Sequence, residues 1–285
     1  MASPGPAAGE IPDAVAVLAR AGGENFPVAA RILPARPRRH LMAIYGFARL
    51  ADDIGDEAPG DRLASLDWLE AELAAAAAGT ATHPLLQALT PTLRELDLPL
   101  EPFRRLIEAN RQDQRLPRYG SWDELAAYCE LSANPVGHLV LAVFDAATPA
   151  RLALSDRVCT GLQLVEHCQD VGEDARRGRV YLPAEDRERF GCPEADLLAA
   201  TTTPALRAVV AFELARAAEL LAAGRELTSG LGGWARLTIA GYVSGGQATV
   251  DAISRAQHDL LAHPCRPSRA RTLARALPLL AGRPR

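Results

Sequence analysis

The sequence contains no lysine: all 31 basic residues are arginine, against 35 acidic residues. A chain without lysine can have neither the phosphate-binding lysine of a Walker P-loop nor a lysine that forms a Schiff base. The formal net charge of −4 gives no overall attraction for nucleic acid, so we expect no nucleic-acid partner. These absences exclude several large classes of enzymes and binding proteins.

Long hydrophobic runs are also missing, and no apolar stretch approaches the ~18 residues that a membrane span needs. Residues 1–12 have neither the basic start nor the apolar segment of a signal peptide. The five cysteines follow no CxxC or zinc-type spacing, which favours reduced thiols. We therefore predict a cytoplasmic protein that meets any apolar substrate from the water side.

Aromatic residues make up only 5% of the chain, whereas hydrophobic residues as a whole make up 48%. No internal repeat and no strand-like alternation occurs, and the alanine- and leucine-rich segments favour helices. The sequence predicts an all-α, single-domain bundle with a central cavity over residues 13–263. Residues 1–12 are expected to form a flexible leader and residues 264–285 a basic tail, which is either solvated or rests on anionic lipid.

The segment Gly161–Pro183 combines more kinds of functional side chain than any other. Four polar residues at helical spacing fall within roughly 60° of one another on one helix face, with Glu166 beside them: Gln163, His167, Asp170 and Asp174. Such a row is either a solvated helix face or a carboxylate set that holds a hard cation such as Mg²⁺. The arginines that follow, among them Arg179, are typical of phosphate binding.

A second aspartate pair with the same i, i+4 spacing favours the metal interpretation. Asp52 and Asp56 lie in the segment AIYGFARLADDIGDE, with Asp53 between them. Tyr45 and Arg49 precede Asp52 by seven and three residues and so share its helix face. Two such pairs, each beside arginines, can meet across a helical bundle and bind a diphosphate through bridging metal ions.

The two segments AIYGFARLADDIGDE and QLVEHCQDVGEDARRGRVYLP together resemble the aspartate-rich motifs of the squalene/phytoene synthase family. The segments ENFPVAARILP and YCELSANPVGHLVL resemble more specifically the hopanoid-pathway branch of that family, the hydroxysqualene synthases. The resemblance runs from about Glu24 to Asp251. It implies that Asn110 and Asp113 form a polar pair near the cavity, the alternative being a plain surface face. It departs from the family pattern at Glu166, where most relatives have asparagine, and at Gln169, where many have arginine.

This resemblance implies an isoprenoid synthase-type helical bundle that ionises presqualene diphosphate with the help of Mg²⁺. The cation left behind would rearrange, and water would capture it to give hydroxysqualene. Implied catalytic residues are Asp52, Asp56, Asp170, Asp174, Tyr45 and Tyr128. Implied substrate-binding residues are Asn25, Arg49, Asn134, Gln163, His167, Arg179 and Tyr181. Implied metal ligands are Asp52, Asp53, Asp56, Glu166, Asp170 and Asp174.

Two other functions stay open at this point. The chain could be a head-to-head prenyl synthase that makes presqualene diphosphate, dehydrosqualene or phytoene, or a non-catalytic assembly partner with the same fold. No dinucleotide-binding fingerprint such as GxGxxG after a strand is present, so we expect no nicotinamide cofactor. We also expect pathway enzymes as partners, and contact of the tail with the inner face of the membrane.

Overall fold

The computed structural model describes residues 11–20, 32–261 and 265–281. Over these ranges the chain is built from helices, and its only β-type pairing is one isolated bridge between Arg118 and Val180. The helices are α1 (Ala14–Ala19), α2 (Ala35–Asp56), α3 (Arg62–Ala78), α4 (Pro84–Glu95), α5 (Glu101–Asp113), α6 (Trp122–Ser132), α7 (Asn134–Val143), α8 (Pro149–Gln169), α9 (Val171–Arg176), α10 (Ala184–Arg189), α11 (Pro204–Leu221), α12 (Ala223–Ser229), α13 (Gly233–Arg255) and α14 (Arg269–Ala281). The all-α prediction is confirmed.

The described chain divides into two compact units, and the single-domain prediction stays a prediction. The first contains the residues up to Arg115 together with Pro135–Ala147, and the second contains Leu116–Asn134 together with the residues from Thr148 onward. None of the described helices is both long enough and apolar enough to cross a lipid bilayer.

Helix α2 is the central element of the first unit and contacts α1, α3, α4 and α5. Its buried stripe includes Ile44, Phe47 and Ile54, and the Phe47 ring meets the Phe103 ring of α5 edge-on at a centroid distance of 5.0 Å. Apolar residues at this helical spacing fix which side of α2 faces the core. The packing therefore also fixes which side carries the acidic residues at its C-terminal end.

Helix α8 has the corresponding place in the second unit, where it packs against α6, α11, α12 and α13. Thr148 caps its first turn by accepting a hydrogen bond from the Arg151 backbone N–H. Its last two turns bury Leu164, Val165 and Cys168. This side of α8 is thus held in the core, and Glu166 and Asp170 remain exposed.

The C-terminal segment is a folded helix and not only a tail. Helix α14 packs against α12 and α13, buries Leu279 and accepts a hydrogen bond from Arg236 at the Leu279 carbonyl (2.9 Å). Arg275 also forms an ion pair with Asp251 of α13, with Nε 2.7 Å from Oδ2. The predicted boundary at residue 264 therefore does not mark the end of regular structure. At the other end, Asp13 caps α1 by accepting hydrogen bonds from the backbone N–H groups of Val15 and Ala16.

Candidate active site

The first acidic set lies at the C-terminal end of α2. Asp52 is exposed and accepts a hydrogen bond from Asn110 Nδ2 of α5 at 3.2 Å, whereas the next residue, Asp53, is buried. Asp56 lies one turn after Asp52 and is partly buried. Helix α2 therefore presents two carboxylates at i, i+4 spacing and places a third in the protein interior.

Asn110 is held firmly where it contacts Asp52. Its side chain is only 6% exposed, and its Nδ2 also donates to the Leu106 carbonyl at 3.1 Å. Gln114 Nε2 bonds to the Gly55 carbonyl at 2.9 Å and so ties α5 to α2 beside it. Gly55 makes room for Asn110, because a Cβ at position 55 would overlap the Asn110 amide oxygen. This packing orients the Asp52 carboxylate before any ligand binds.

The environment of Asp52 disfavours its charge. Desolvation by the surrounding protein is the main cause that raises the pKa of Asp52 to about 7, and repulsion from Asp56 and Asp53 adds to it. The Asn110 hydrogen bond and the positive charge of Arg49 act in the opposite direction. Because the side chain still reaches solvent, water offsets part of the desolvation. A carboxylate in this state is stabilised by a cation.

Asp53 has partners inside the protein. Its Oδ1 accepts hydrogen bonds from Arg49 Nε at 2.8 Å and from Arg20 Nη1 of α1 at 3.0 Å. Arg20 also bonds to Glu57, so α1 is attached to the end of α2 by charged pairs. The sequence predicts Asp53 as a metal ligand and Arg49 as a substrate contact, whereas the structure pairs the two with each other. The metal role of Asp53 and the substrate contact of Arg49 stay predictions.

The second acidic set lies at the junction of α8 and α9. The sequence predicts one continuous helix here, but α8 ends at Gln169 and α9 begins at Val171. The backbone bonds nevertheless continue, because Asp170 N donates to the Glu166 carbonyl and Asp174 N donates to the Asp170 carbonyl. The i, i+4 relation of Asp170 and Asp174 is therefore kept across the interruption.

Asp170 resembles Asp52 in its electrostatics. It is exposed to solvent, yet its pKa is raised, first by desolvation and then by repulsion from Glu173, while the positive charge of Arg177 lowers it. Arg177 is itself paired with Glu173 at 2.8 Å. Each unit thus contains one accessible aspartate whose ionised form the protein disfavours.

The end of α9 directs the chain back to this site. Gly178 has φ +84°, and the N–H groups of Gly178 and Arg179 donate to the carbonyls of Ala175 and Asp174, which is the Schellman arrangement. The reversed chain then pairs with Pro117, whose carbonyl accepts a hydrogen bond from Val180 N at 2.8 Å. Tyr181 follows directly and is buried.

Four buried rings stack beside the second acidic set: Tyr119, Tyr128, His167 and Tyr181. The His167 and Tyr181 rings are parallel within 11° at a centroid distance of 3.9 Å, and Tyr128 lies 5.5 Å from Tyr181. Burial lowers the pKa of His167 to about 3, so its imidazole is neutral at physiological pH. Gln163 Nε2 is 3.4 Å from His167 Nε2. The predicted residues Gln163, His167, Tyr128 and Tyr181 are thus brought together in one unit.

Other predicted residues have different surroundings. Asn134 is buried, and its Oδ1 accepts a hydrogen bond from Thr160 Oγ1 of α8 at 3.1 Å, so the amide oxygen is engaged inside the second unit. Tyr45 is partly buried on α2, and Glu166 is exposed on α8. Asn25 lies outside the described residues. The roles expected for Tyr45, Glu166 and Asn25 stay predictions.

The carboxylates fit a hard cation by their chemistry. Asp52 and Asp170 are accessible oxygen donors whose raised pKa values are the response expected when charge lacks a partner. In the part of the chain that the structure describes, no three His, Cys, Asp or Glu side chains converge into a ready-made metal cage. Mg²⁺ does not need one, since it usually binds through one or two carboxylates together with substrate phosphates.

Gly55 and the contact of Asn110 with Asp52 are the parts of the site that the predicted set lacks. Both act on Asp52, one by donating to its carboxylate and the other by making room for the donor. The sequence offers one signal, a glycine between helix-forming residues in the acidic segment, which often marks a close approach of another group. It does not indicate which residue approaches.

Comparison with known proteins gives a consistent picture. The profile of the family described as squalene/phytoene synthase matches residues 19–275. A hydroxysqualene synthase of Rhodopseudomonas palustris is 40% identical over 210 residues, which cover 72% of this chain and 70% of that protein. A phytoene synthase of Arthrospira platensis is 34% identical over 209 residues, which cover 68% of each chain.

Among solved structures, the squalene synthase HpnC from Alicyclobacillus acidocaldarius superposes with a TM-score of 0.78 at 42% sequence identity. The match covers 88% of this chain and 98% of that one. The all-helical architecture is therefore shared over nearly the whole length of a solved relative.

Proposed function

The chain belongs to the squalene/phytoene synthase family, and from this premise we propose that it converts presqualene diphosphate and water into hydroxysqualene and diphosphate. One observation carries the proposal: each unit has an accessible aspartate, Asp52 or Asp170, whose pKa is raised by desolvation and by a neighbouring carboxylate. The identity to the hydroxysqualene synthase of R. palustris supports this choice of substrate and product.

The proposed reaction begins with loss of diphosphate. The carbon–oxygen bond breaks, both electrons leave with the diphosphate, and a cyclopropylcarbinyl cation remains. This cation rearranges, water forms the new carbon–oxygen bond, and the proton of the attacking water is released. No electron is gained or lost overall, so no nicotinamide cofactor is required.

The aspartates at i, i+4 spacing would hold Mg²⁺ in this proposal: Asp52 with Asp56, and Asp170 with Asp174. When bound, the cation would offset the negative charge that grows on the departing diphosphate. Asn110 would keep the Asp52 carboxylate in one orientation, which lowers the cost of organising the site during the reaction.

The buried rings would protect the carbocation. Tyr119, Tyr128 and Tyr181 exclude bulk water from their surroundings and present aromatic faces, which attract positive charge. His167 is kept neutral by burial and so does not repel a cation. We propose that Gln163, which lies next to His167, helps to orient the diphosphate or the attacking water.

The test is a substrate panel with purified protein, Mg²⁺ and no nicotinamide cofactor. We expect presqualene diphosphate to give hydroxysqualene and free diphosphate, and Asp52→Asn and Asp170→Asn to lose at least about 10²-fold of the rate, as loss of one electrostatic stabiliser typically does. Conversion of farnesyl diphosphate with presqualene diphosphate left intact would overturn the proposed reaction. Full activity of both aspartate variants would overturn the metal role.

A second candidate is head-to-head condensation of two prenyl diphosphates, which would give presqualene diphosphate, dehydrosqualene or phytoene. The observation that favours it is the 34% identity to the phytoene synthase of A. platensis. Asp52 and Asp170 would have the same task there, because condensation also begins with loss of diphosphate. The same substrate panel distinguishes the two functions.

We also propose a cytoplasmic location at the inner face of the membrane, with other enzymes of the same pathway as partners. The reason is chemical, since the proposed substrate and product have long apolar chains that partition into lipid. Labelling the protein in intact and fractionated cells tests this location.

A further inference from the structure

Helix α14 presents an outward face that is entirely apolar. With about 100° of rotation per residue, five exposed residues share an arc of about 100°: Ala270, Leu273, Ala274, Leu277 and Ala281. Leu273 is 63% exposed and Leu277 is 60% exposed. Single exposed leucines are common, but two of them one turn apart among alanines form a continuous apolar stripe. We call these five residues the outer face of α14.

The opposite side of α14 holds the helix on the second unit. Leu279 is buried, its carbonyl accepts the Arg236 hydrogen bond, and Arg275 is paired with Asp251. The outer face is therefore presented by a helix that is docked on the second unit.

Three arginines surround this stripe: Arg266, Arg269 and Arg271. All three are exposed, and among the described residues none of them is paired with a carboxylate. By helical rotation Arg269 flanks one edge of the outer face and Arg271 flanks the other. The whole chain carries a net charge of −4, so this cluster of unpaired positive charge is opposite in sign to the protein average.

We propose that the outer face of α14 binds the surface of an anionic lipid bilayer. Leu273 and Leu277 enter the boundary between headgroups and acyl chains, and Arg266, Arg269 and Arg271 contact the lipid phosphates. Because the rest of the protein is net negative, an anionic surface attracts this side and repels the others, which fixes the orientation of the bound molecule.

The charge pattern favours lipid over a second copy of the chain. In a two-fold symmetric dimer the same face of both copies would meet. Residues 266–281 include no Asp or Glu, so this face of a second copy would offer the arginines no opposite charge. An anionic bilayer instead supplies the opposite charge together with an apolar layer.

The test uses the full-length purified protein and measures cosedimentation with phosphatidylcholine vesicles, with or without phosphatidylglycerol. Binding should require phosphatidylglycerol and weaken as salt is added. The double variant Leu273→Ser/Leu277→Ser should lose at least about tenfold of its binding. Replacing the three arginines by glutamine should cost about fivefold for each charge removed.

Matched controls keep the test specific. Leu116→Ser/Leu198→Ser removes two exposed leucines elsewhere, and replacing the exposed arginines Arg36, Arg104 and Arg105 by glutamine changes the net charge equally. Both controls should bind vesicles like the unmodified protein. Because all the altered side chains are exposed, thermal unfolding should be unchanged throughout.

The proposal is overturned if vesicle binding is absent, or if the Leu273/Leu277 variant binds as well as its control. It is also overturned if light scattering shows that this variant only dissociates a dimer, since the outer face then belongs to a second copy. Vesicle binding is measured without substrate and therefore does not depend on the proposed reaction. Turnover of detergent-dispersed presqualene diphosphate should persist in the leucine variant, which separates the two proposals.

Discussion

Replacing Gly55 by alanine should disturb the orientation of Asp52 without touching a carboxylate. The new Cβ would overlap the Asn110 amide oxygen and lie 2.9 Å from its Cγ, so the amide must rotate away. This rotation breaks the bond from Asn110 to Asp52 and the bond to the Leu106 carbonyl. One methyl group thus removes the donor that positions the carboxylate.

The free energy of unfolding follows from three contributions. Loss of the Asn110 bond to the charged Asp52 costs about 1.5–3 kcal/mol, and loss of its bond to the Leu106 carbonyl costs about 1 kcal/mol. Alanine in place of glycine inside a helix stabilises the protein by about 1 kcal/mol. Gly55→Ala should therefore destabilise the protein by about 2 kcal/mol.

The assay pairs urea unfolding with turnover of presqualene diphosphate at saturating Mg²⁺. Gly241→Ala in α13 is the matched control, because a Cβ there meets nothing within 4 Å, and we expect it to stabilise the protein by up to about 1 kcal/mol with unchanged turnover. For Gly55→Ala we expect turnover to fall at least about tenfold at a temperature where the variant is folded. A folded Gly55→Ala variant with full turnover would refute the positioning role of Asn110.

Three further predictions follow from the electrostatics and the backbone. The folded-state pKa of Asp52 is raised to about 7. The stabilising contribution of the Asp52 side chain is therefore complete below the unfolded pKa and is lost as pH rises through about 7. Asp52→Asn should for this reason raise the melting temperature more at about pH 8 than at about pH 5. An equal rise in melting temperature at both pH values would contradict the raised pKa of Asp52. Arg216→Met should cost about 3–5 kcal/mol in urea unfolding, because it leaves the buried Asp186 without its cation and the buried Glu213 without a hydrogen-bond donor. Glu213→Gln should be tolerated, because burial raises the pKa of Glu213 to about 8 and the carboxyl is mostly neutral already. Comparable losses of stability in Arg216→Met and Glu213→Gln would count against a neutral Glu213. Gly178→Ala, at φ +84°, should cost about 1–2 kcal/mol in the same assay, because alanine is disfavoured in the left-handed region. An unchanged stability would exclude strain there.

Local signals in the sequence predict much of the fold. Asp13 caps α1, and α6 ends at Ser132, just before Asn134-Pro135, where a proline disfavours a continuing helix. The 3.6-residue helical repeat alone predicts that Asp52 and Asp56 share one face of the helix. Caps, prolines and periodicity act over a few residues, so they can be read without knowing what packs against them.

Pairings between distant residues could not be predicted in this way. Arg20 and Asp53 are far apart in the sequence, and nothing local distinguishes Asp53, which is buried and paired, from Asp52, which is exposed. The Asn110 contact with Asp52 joins two helices and is equally invisible to periodicity. The same holds for α14. Its leucines and arginines predict a basic tail, and only the burial of Leu279 shows that the segment is packed against the protein. Tertiary packing decided each case.

The proposed reaction is tested most directly by the mass of the product made from presqualene diphosphate in water labelled with the heavy oxygen isotope, with Mg²⁺ and without a nicotinamide cofactor. We expect hydroxysqualene that carries the heavy oxygen, with equimolar release of diphosphate. An unlabelled product, a hydrocarbon, or recovery of unchanged presqualene diphosphate would contradict the proposed reaction.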